Sequence, residues 1–330
     1  TGLSSQIGSL APTAVSYGDN GSALTVLYGE KIFNDGRSAI WLGKIDPTEQ
    51  TSIMGYANQR TTFANGAVLS NMSIGSPAPG FGIAGGTITL GLGQLEVAAG
   101  KEVYIDGGDA GITIDANATE ADRRRVLEIG DGATVALHGL TITGGDALLG
   151  AGVYLQGSSP TLVDVVISGN ACESESQNCR GTGLYVNGGD PILQDVVVSD
   201  NLADGYNVYG AGAYFNASVA YVSGLHIEGN VAVADNVIYG SGLSLRNASS
   251  LDVDNLAIIG NLAEADFIVA GGGFYLHGES EPVIDGAIIA GNEAAAPTTY
   301  GAGVMVNGDM AAVFTNAVVH GNDSTATTES

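Results

Sequence analysis

The sequence predicts an all-β solenoid, in which coils of about thirty residues stack on one another. The first observation is a repeat that closes on an asparagine. Successive closing asparagines are 31, 29, 31, 31 and 30 residues apart: Asn170, Asn201, Asn230, Asn261, Asn292 and Asn322. The second is the alternation of inward apolar residues within each repeat, which is the pattern of a strand. The third is composition, because 51 glycines and only 14% charged residues are typical of a turn-rich β protein.

Residues one repeat apart are similar in polarity, and this similarity predicts where the strands of each coil lie. Four rows stay aliphatic or aromatic and are expected to face a filled centre. They are Val153, Leu184, Ala213, Leu243, Phe274 and Val304; Leu155, Val186, Phe215, Leu245, Leu276 and Val306; Leu162, Leu193, Val222, Val253, Ile284 and Phe314; and Ile167, Val198, Ile227, Ile258, Ile289 and Val319. The rows predict three short strands per coil, paired in parallel between coils, with a bend at Asp164 and its equivalents before the third strand. The closing asparagines are expected to form a hydrogen-bonded ladder.

Two repeat phrases carry a family resemblance. GAGVYLQGSSPTLVDVVISGN (150–170) and GGGFYLHGESEPVIDGAIIAGN (271–292) resemble repeats of right-handed parallel β-helix proteins of bacterial surfaces and secretions, of the polymorphic outer-membrane-protein and autotransporter-passenger type. The resemblance covers residues 86–322 and implies a right-handed parallel β-helix. It implies little about activity, because this fold serves lyases, hydrolases, adhesins and inert stalks alike.

The remaining segments lie outside the repeat. In residues 1–85, ALTVLYGEKIF (23–33) and SAIWLGKI (38–45) read as two strands around the turn signal Asn34-Asp35-Gly36, which predicts a small β cap or accessory layer. A solenoid needs its open apolar end covered, so a cap is the expected role. Residues 323–330 are rich in Ser and Thr and read as a tail or linker.

Charge and cysteines limit the compartment and the partners. With 35 acidic and 10 basic residues the formal net charge is −25, which disfavours binding to nucleic acid. No apolar run approaches the ~20 residues needed to span a bilayer. Cys172 and Cys179 are expected to form a local disulfide, typical of an oxidising compartment. We therefore expect an extracellular or cell-surface protein.

The sequence disfavours an enzymatic function but leaves one enzymatic alternative open. The resemblance also covers β-helix enzymes that cut acidic polysaccharides. It implies that such an enzyme needs a Lys or Arg beside clustered aspartates. In the coils from 130 to 322 the only basic residues are Arg180 and Arg246. We therefore assign no catalytic residue. The alternative is a polysaccharide lyase or glycoside hydrolase with its site between the inter-coil loops and the N-terminal region. The cluster Arg123-Arg124-Arg125 is expected to pair with Glu120 and Asp122 in a turn, or to dock an acidic partner.

One outward face of the first strand is a candidate binding surface. Its residues form a tyrosine stripe flanked by amides and one guanidinium, suited to a neutral glycan or a protein partner. They are Tyr154, Tyr185, Tyr214, Tyr275, Asn187, Asn216, Arg246, His277 and Asn307. The alternatives are stacking that stabilises the sheet, or cover by residues 1–85.

The third strand has a second outward face, which is a candidate interface. Val166, Val197, Ala257, Ile259, Ile288 and Val318 would form an apolar patch larger than monomers usually expose. Another copy, the inter-coil loops 204–209, 234–239 and 265–270, or the N-terminal segment would cover it. The loops carry apolar residues at their downstream ends and are expected to fold back onto a face.

Acidic residues recur on one edge of the predicted coils: Glu173, Glu175, Asp204, Asp235, Glu264 and Asp266. Calcium is a possible ligand, although no single loop offers six oxygens; no other cofactor is expected. Together these features favour a structural, adhesive or self-assembling protein that binds a further copy, another cell-surface protein or a glycan.

Overall fold

The structure is a computed structural model that describes residues 86–326, apart from 92, 109–110 and 309–310. Of residues 1–85 it describes six strands. In all, the described residues form thirty-three strands and no helix. In chain order they are β1 Ala14–Tyr17, β2 Ala23–Leu27, β3 Ser38–Ile45, β4 Thr51–Ala57, β5 Ala67–Leu69, β6 Met72–Ile74, β7 Gly86–Thr89, β8 Leu95–Val97, β9 Glu102–Asp106, β10 Ile112–Asp115, β11 Leu127–Ile129, β12 Thr134–Thr143, β13 Val153–Gln156, β14 Thr161–Ser168, β15 Ala171–Ser174, β16 Cys179–Arg180, β17 Leu184–Asn187, β18 Ile192–Ser199, β19 Leu202–Tyr209, β20 Ala213–Asn216, β21 Val219–Glu228, β22 Val231–Tyr239, β23 Leu243–Arg246, β24 Ser250–Ile259, β25 Leu262–Ala265, β26 Ile268–Ala270, β27 Phe274–His277, β28 Val283–Ala290, β29 Glu293–Ala296, β30 Thr298–Tyr300, β31 Val304–Asn307, β32 Val313–His320 and β33 Asp323–Ala326.

The strands form three sheets that run along the solenoid. The first sheet has fifteen strands, and its coil strands follow the order β9-β12-β14-β18-β21-β24-β28-β32. The second sheet has nine strands, in the order β31-β27-β23-β20-β17-β13-β11-β8-β5. The third sheet also has nine strands, with β15, β19, β22, β25, β29 and β33 as its main path. Each coil from Val153 onward thus contributes one strand to the second sheet, one to the first and then one or two to the third.

The predicted parallel stacking is confirmed residue by residue. Val153 pairs with Leu184, which pairs with Ala213, and the other three predicted inner rows pair in the same way between coils. In the coils before the last one these side chains are at most 5% exposed and belong to one continuous core. Burial of aliphatic and aromatic groups on both sides of each coil is what holds the stack together.

The division of each coil into strands differs from the prediction. The predicted second and third strands are one strand of the first sheet, as in Val219–Glu228, bent at a residue with positive φ such as Asp195 or Asn255. A single left-handed residue redirects the backbone while pairing continues on both sides of it, so the bend does not end the strand. The actual third strand comes from the segment that follows each closing asparagine, which the sequence suggested to be a loop.

Strands from residues 1–85 extend two of the sheets. β1, β2, β3, β4 and β6 are antiparallel neighbours at the start of the first sheet, and β6 then pairs in parallel with β9. β5 pairs in parallel with β8. The two predicted strands correspond to β2 and β3, whereas Asn34-Asp35-Gly36 lie outside the described residues. At the other end, Asp323–Ala326 of the expected tail pair with Glu293–Ala296 in the third sheet, so the stack reaches beyond residue 322.

The closing asparagines form the predicted ladder. In each layer the side-chain Nδ2 donates to the Oδ1 of the next asparagine, at 2.8–3.0 Å from Asn170 to Asn322. The backbone N–H of each asparagine donates to the same Oδ1, at 3.0–3.1 Å. The Gly-Ala-Gly opening fits around this ladder, since a Cβ on Gly212 would lie 2.9 Å from Nδ2 of Asn230 and 2.6 Å from the carbonyl oxygen of Gly242.

Candidate functional site

The predicted tyrosine stripe lies on the outer side of the second sheet and is continuous over its first three coils. Tyr154, Tyr185 and Tyr214 occupy the same position on consecutive strands. Their ring centroids are 5.1 Å and 5.0 Å apart, and the rings are nearly parallel. Ser244 interrupts the row in the next coil, and Tyr275 resumes it in the coil after that.

A second row of rings covers the stripe. Tyr209 and Tyr239 lie on the returning part of the third sheet, stack on each other at 5.0 Å and contact Tyr214 and Tyr275 respectively. They fill the space opposite the small Ser244. The inter-coil segments 204–209 and 234–239 therefore fold back onto a face of the solenoid, as the sequence suggested.

The covered stripe is not the accessible binding face that the sequence predicted. Tyr154, Tyr185, Tyr214 and Tyr275 are 8%, 6%, 5% and 1% exposed. Burial raises the pKa of Tyr185 to about 12 and raises that of Tyr214, because the phenolate would be poorly solvated there. This correction favours the stacking alternative. Among the described residues, the cover consists of the inter-coil segments.

The flanking amides lie at the rim of the buried rings. The side chain of Asn187 donates to the hydroxyl of Tyr154 at 3.4 Å, and that of Asn307 donates to the hydroxyl of Tyr275 at 3.1 Å. Asn216 donates to Oδ1 of Asn187 at 2.7 Å. These amides satisfy the phenol groups and tie neighbouring coils, so their main contacts are within the protein.

Arg246 is held against aromatic rings rather than against a carboxylate. Its guanidinium carbon lies 4.8 Å from the ring centroid of Tyr239 and 5.0 Å from that of Tyr209, within cation–π range. Burial lowers the pKa of the neighbouring His277, and the positive charge of Arg246 lowers it further. Cation–π contacts and half-burial make this part of the predicted site a packed cluster.

The predicted interface on the first sheet is partly exposed. Val166 and Val197 are vertical neighbours in one outward row, which passes through His226 and continues with Ala257, Ile288 and Val318. Val166 and Val197 are half-buried and Ala257 is buried, whereas Ile288 and Val318 are 48% and 52% exposed. Ile259, in the adjacent row, is also exposed. The apolar surface is therefore concentrated in the later coils.

A second apolar row on the same sheet was missed by the sequence reading. Ile192, Tyr221, Val283 and Val313 are exposed and lie in one register line, interrupted by Asp252. Each precedes an inner residue such as Leu193, so the alternation of the strand pointed outward at these positions. Between the two rows runs a polar row that includes Asp254 and Asp285.

An acidic cleft of about 620 Å³ lies beside the first and third sheets. Its lining includes the carboxylates of Glu120, Asp146, Glu173, Glu175 and Asp204, together with Arg123. Arg123 donates from Nε to Asp146 at 2.8 Å, and this hydrogen bond raises the pKa of the guanidinium. In the described part of the chain no group of three or more His, Cys, Asp or Glu side chains is arranged to hold a metal ion.

The arginines of the cluster Arg123-Arg124-Arg125 form ion pairs within the protein. Only some of their partners are the predicted ones. Arg124 contacts Asp122 at 3.1 Å, as expected. Arg123 pairs with Asp146, and Arg125 pairs with Glu128 and lies 4.9 Å from the ring of Tyr154. Arg125 thereby covers the first ring of the tyrosine stripe.

The cysteines form the expected disulfide, and it lies in a second, smaller core. Cys172 and Cys179 are joined, fully buried and in register with Ala203 and Val208 of the next coil. This core runs inside the third sheet and consists mostly of alanine and valine. The disulfide thus occupies the first layer of that core. No helix of the described residues has the length and apolar character needed to cross a membrane.

Comparison with known proteins identifies the repeat region. A family model described as the right handed beta helix region matches residues 151–328. No curated protein and no solved structure matches the chain.

Proposed function

The chain belongs to the right-handed β-helix family, and from this premise we propose that it is a secreted or cell-surface protein with a structural, adhesive or self-assembling role. Its contact surface is the outer face of the first sheet. The disulfide between Cys172 and Cys179 supports an oxidising, extracytoplasmic location.

One observation carries the proposal. Two mostly apolar rows, one interrupted by Asp252 and the other by His226, run along the outer face of the first sheet. The exposed fraction is 47–52% for Ile192, Tyr221, Val283, Ile288 and Val318. A parallel sheet normally has both faces covered, and exposed apolar rows of this length mark interaction surfaces. The flat, extended shape suits a partner that is itself elongated, such as a further copy or another cell-surface protein.

The proposal is tested by converting the later part of this face to charge. We expect the protein to self-associate in sedimentation velocity as its concentration rises, and we expect Ile288→Asp combined with Val318→Asp to abolish this. Both side chains are half exposed, so the variant should fold normally. The control is Gln194→Asp, which adds a charge in the polar row of the same face. A protein that stays monomeric and whose variant attaches to cells as well as the original would contradict the proposal.

A second candidate function is supported by the acidic cleft. Glu120, Asp146 and Glu173 line it together with Arg123, and paired carboxylates are the groups that glycoside hydrolysis needs. Glu173, Ser174 and Asp204 of the inter-coil segments line the cleft, and these segments form one of the two sides that the enzymatic alternative expects. If it hydrolyses a polysaccharide, reducing ends will accumulate with the original protein and not with Asp146→Asn or Glu173→Gln. Absence of new reducing ends from neutral and acidic polysaccharides would eliminate it.

A further inference from the structure

The outer edge of the third sheet carries a column of residues that the contact surface above does not include. Asn207, Val237, Ile268 and Thr298 are vertical neighbours in successive coils. The residues immediately before them lie near the tip of each coil, where the register shifts because β22 has one residue more than β19 between the paired positions. They are Tyr206, Asn236, Phe267 and Pro297, and Gln177 precedes the equivalent Asn178 one coil earlier. We call these five residues the tip column.

The aromatic members of the tip column are unusually exposed. Tyr206 is 46% exposed and Phe267 is 57% exposed, the largest value among the exposed large apolar side chains of the described residues. Single exposed apolar residues are common on protein surfaces. Two exposed rings in one column, with an amide between them, are a different arrangement because they repeat with the coils.

The spacing of the two rings follows from the stacking of the coils. Tyrosines in adjacent coils of the second sheet are 5.0–5.1 Å apart, so rings two coils apart, such as Tyr206 and Phe267, are separated by roughly 10 Å along the axis. In an extended β-1,4-linked glycan each sugar is flipped relative to the one before it. Every second sugar therefore presents the same face, at a repeat close to this ring spacing.

The residue between the rings can bind the intervening sugar. Asn236 donates from Nδ2 to Oδ1 of Asn207 at 2.9 Å, which fixes the orientation of its amide. Its own Oδ1 accepts no hydrogen bond from the described residues, so it can accept one from a sugar hydroxyl. Gln177 is exposed and provides a further amide below Tyr206.

The charges around the tip column select among glycans. Asp204, Asp235 and Asp266 are exposed in the same strands and turns, and the protein as a whole carries a net charge of −25. Such a surface repels uronates and sulfated sugars. The aromatic faces instead suit the C–H groups of an uncharged sugar ring, as in aromatic packing generally.

We propose that the tip column of Gln177, Tyr206, Asn236, Phe267 and Pro297 binds an extended, neutral β-1,4-linked glycan that runs parallel to the solenoid axis. The glycan stacks on Tyr206 and Phe267 with alternate sugars. This site lies on the third sheet and is independent of the protein contact surface on the first sheet.

The test is isothermal titration of the intact protein with cellohexaose and with chitohexaose. We expect binding of at least one of them and about a tenfold loss of affinity for each of Tyr206→Ala and Phe267→Ala, which is about 1.4 kcal/mol per ring. Tyr206→Phe and Phe267→Tyr keep the ring and should keep the affinity. The matched control is Tyr221→Ala, an equally exposed tyrosine on the first sheet, which should bind as the original does.

Several results would overturn the proposal. These are no binding of either hexasaccharide, equal binding by the double alanine variant, or equal binding of maltohexaose, whose α-linked chain curves away from the axis. The variant Ile288→Asp with Val318→Asp separates the two proposals. It should lose self-association but keep cellohexaose binding, so each proposal can fail without the other.

Discussion

The asparagine ladder gives the sharpest prediction about stability, and Asn230 is its best test. The side chain is fully buried. It donates to the carbonyl oxygen of Val198 at 3.0 Å and to Oδ1 of Asn261 at 2.9 Å, and its Oδ1 accepts from the backbone N–H of Asn201 at 3.1 Å. Asn230→Ala removes all of these contacts in an interior that water does not reach.

The expected magnitude follows from the groups that lose their partners. The backbone N–H of Asn201 loses its acceptor and the carbonyl of Val198 loses a donor. Each buried, unsatisfied polar group costs about 1–3 kcal/mol, so we expect the free energy of unfolding to fall by about 3 kcal/mol. The remaining groups keep a second partner, as when Asn201 still donates to the carbonyl oxygen of Ile167 at 3.1 Å.

The assay is urea denaturation followed by circular dichroism, with hydrogen exchange of the Asn201 amide as a local readout. The control is Gln194→Ala, since Gln194 is exposed and no side-chain hydrogen bond of it is found among the described residues. That variant should cost less than about 0.5 kcal/mol. If Asn230→Ala cost no more than the control and the Asn201 amide stayed protected, the ladder would not be a stabilising element.

Three further predictions concern other parts of the molecule. Tyr214→Ala should lower the free energy of unfolding by about 3 kcal/mol, whereas Tyr214→Phe should cost little; a small loss for alanine in denaturation curves would contradict the buried stripe. Reduction of the Cys172–Cys179 disulfide should cost about 2 kcal/mol or less and speed hydrogen exchange only in residues 171–180; exchange throughout the solenoid would show a global role. The hydrogen bond to Asp106 raises the pKa of His138 against the effect of burial. The stabilisation of the fold by protonated His138 is therefore complete at a pH below the ordinary histidine pKa of 6.5. It is lost as the pH rises through the raised pKa of the folded protein. His138→Gln should remove the loss of stability that occurs as the pH rises above about 6.5, and identical pH profiles would refute this.

The inner rows could be predicted from the sequence because position alone determines them. In a stack whose inner rows are all apolar, Leu184 must lie between the equivalent residues of neighbouring coils, and any shift by one residue would turn the row outward. The asparagine ladder was predictable for the same reason. A polar residue that recurs at one turn lies next to its own equivalents and can form hydrogen bonds with them.

The burial of the tyrosine stripe could not be read from the same pattern. An outward tyrosine such as Tyr185 has the same sequence signature whether solvent or another layer covers it. The covering layer depends on segments of eight or nine residues whose inward positions are small, as at Ala203, Ala232 and Ala263. Small residues at one spacing were the available signal for a second core, but they are weak evidence of burial because alanine is common everywhere.

The first sheet shows the opposite case, in which a predicted surface remains open. Ile288 and Val318 face outward because an inner residue follows each of them, and no strand of the described residues covers them. The bend at Asp195 and its equivalents led to the incorrect prediction of two strands where the structure has one. The reason is that a residue with positive φ can either end a strand or bend it. Sequence alone does not distinguish these two outcomes.

The coil tips of the third sheet are where the chain tolerates a change of length. β19 has eight residues and β22 has nine, and the extra residue of β22 lies between Ala234 and Val237, opposite Tyr206, without disturbing the pairing on either side. The main core and the asparagine ladder keep their register across this difference. A foreign peptide inserted between Asp235 and Asn236 would therefore project from the edge of the solenoid as a display site, one per coil, at intervals fixed by the stack itself.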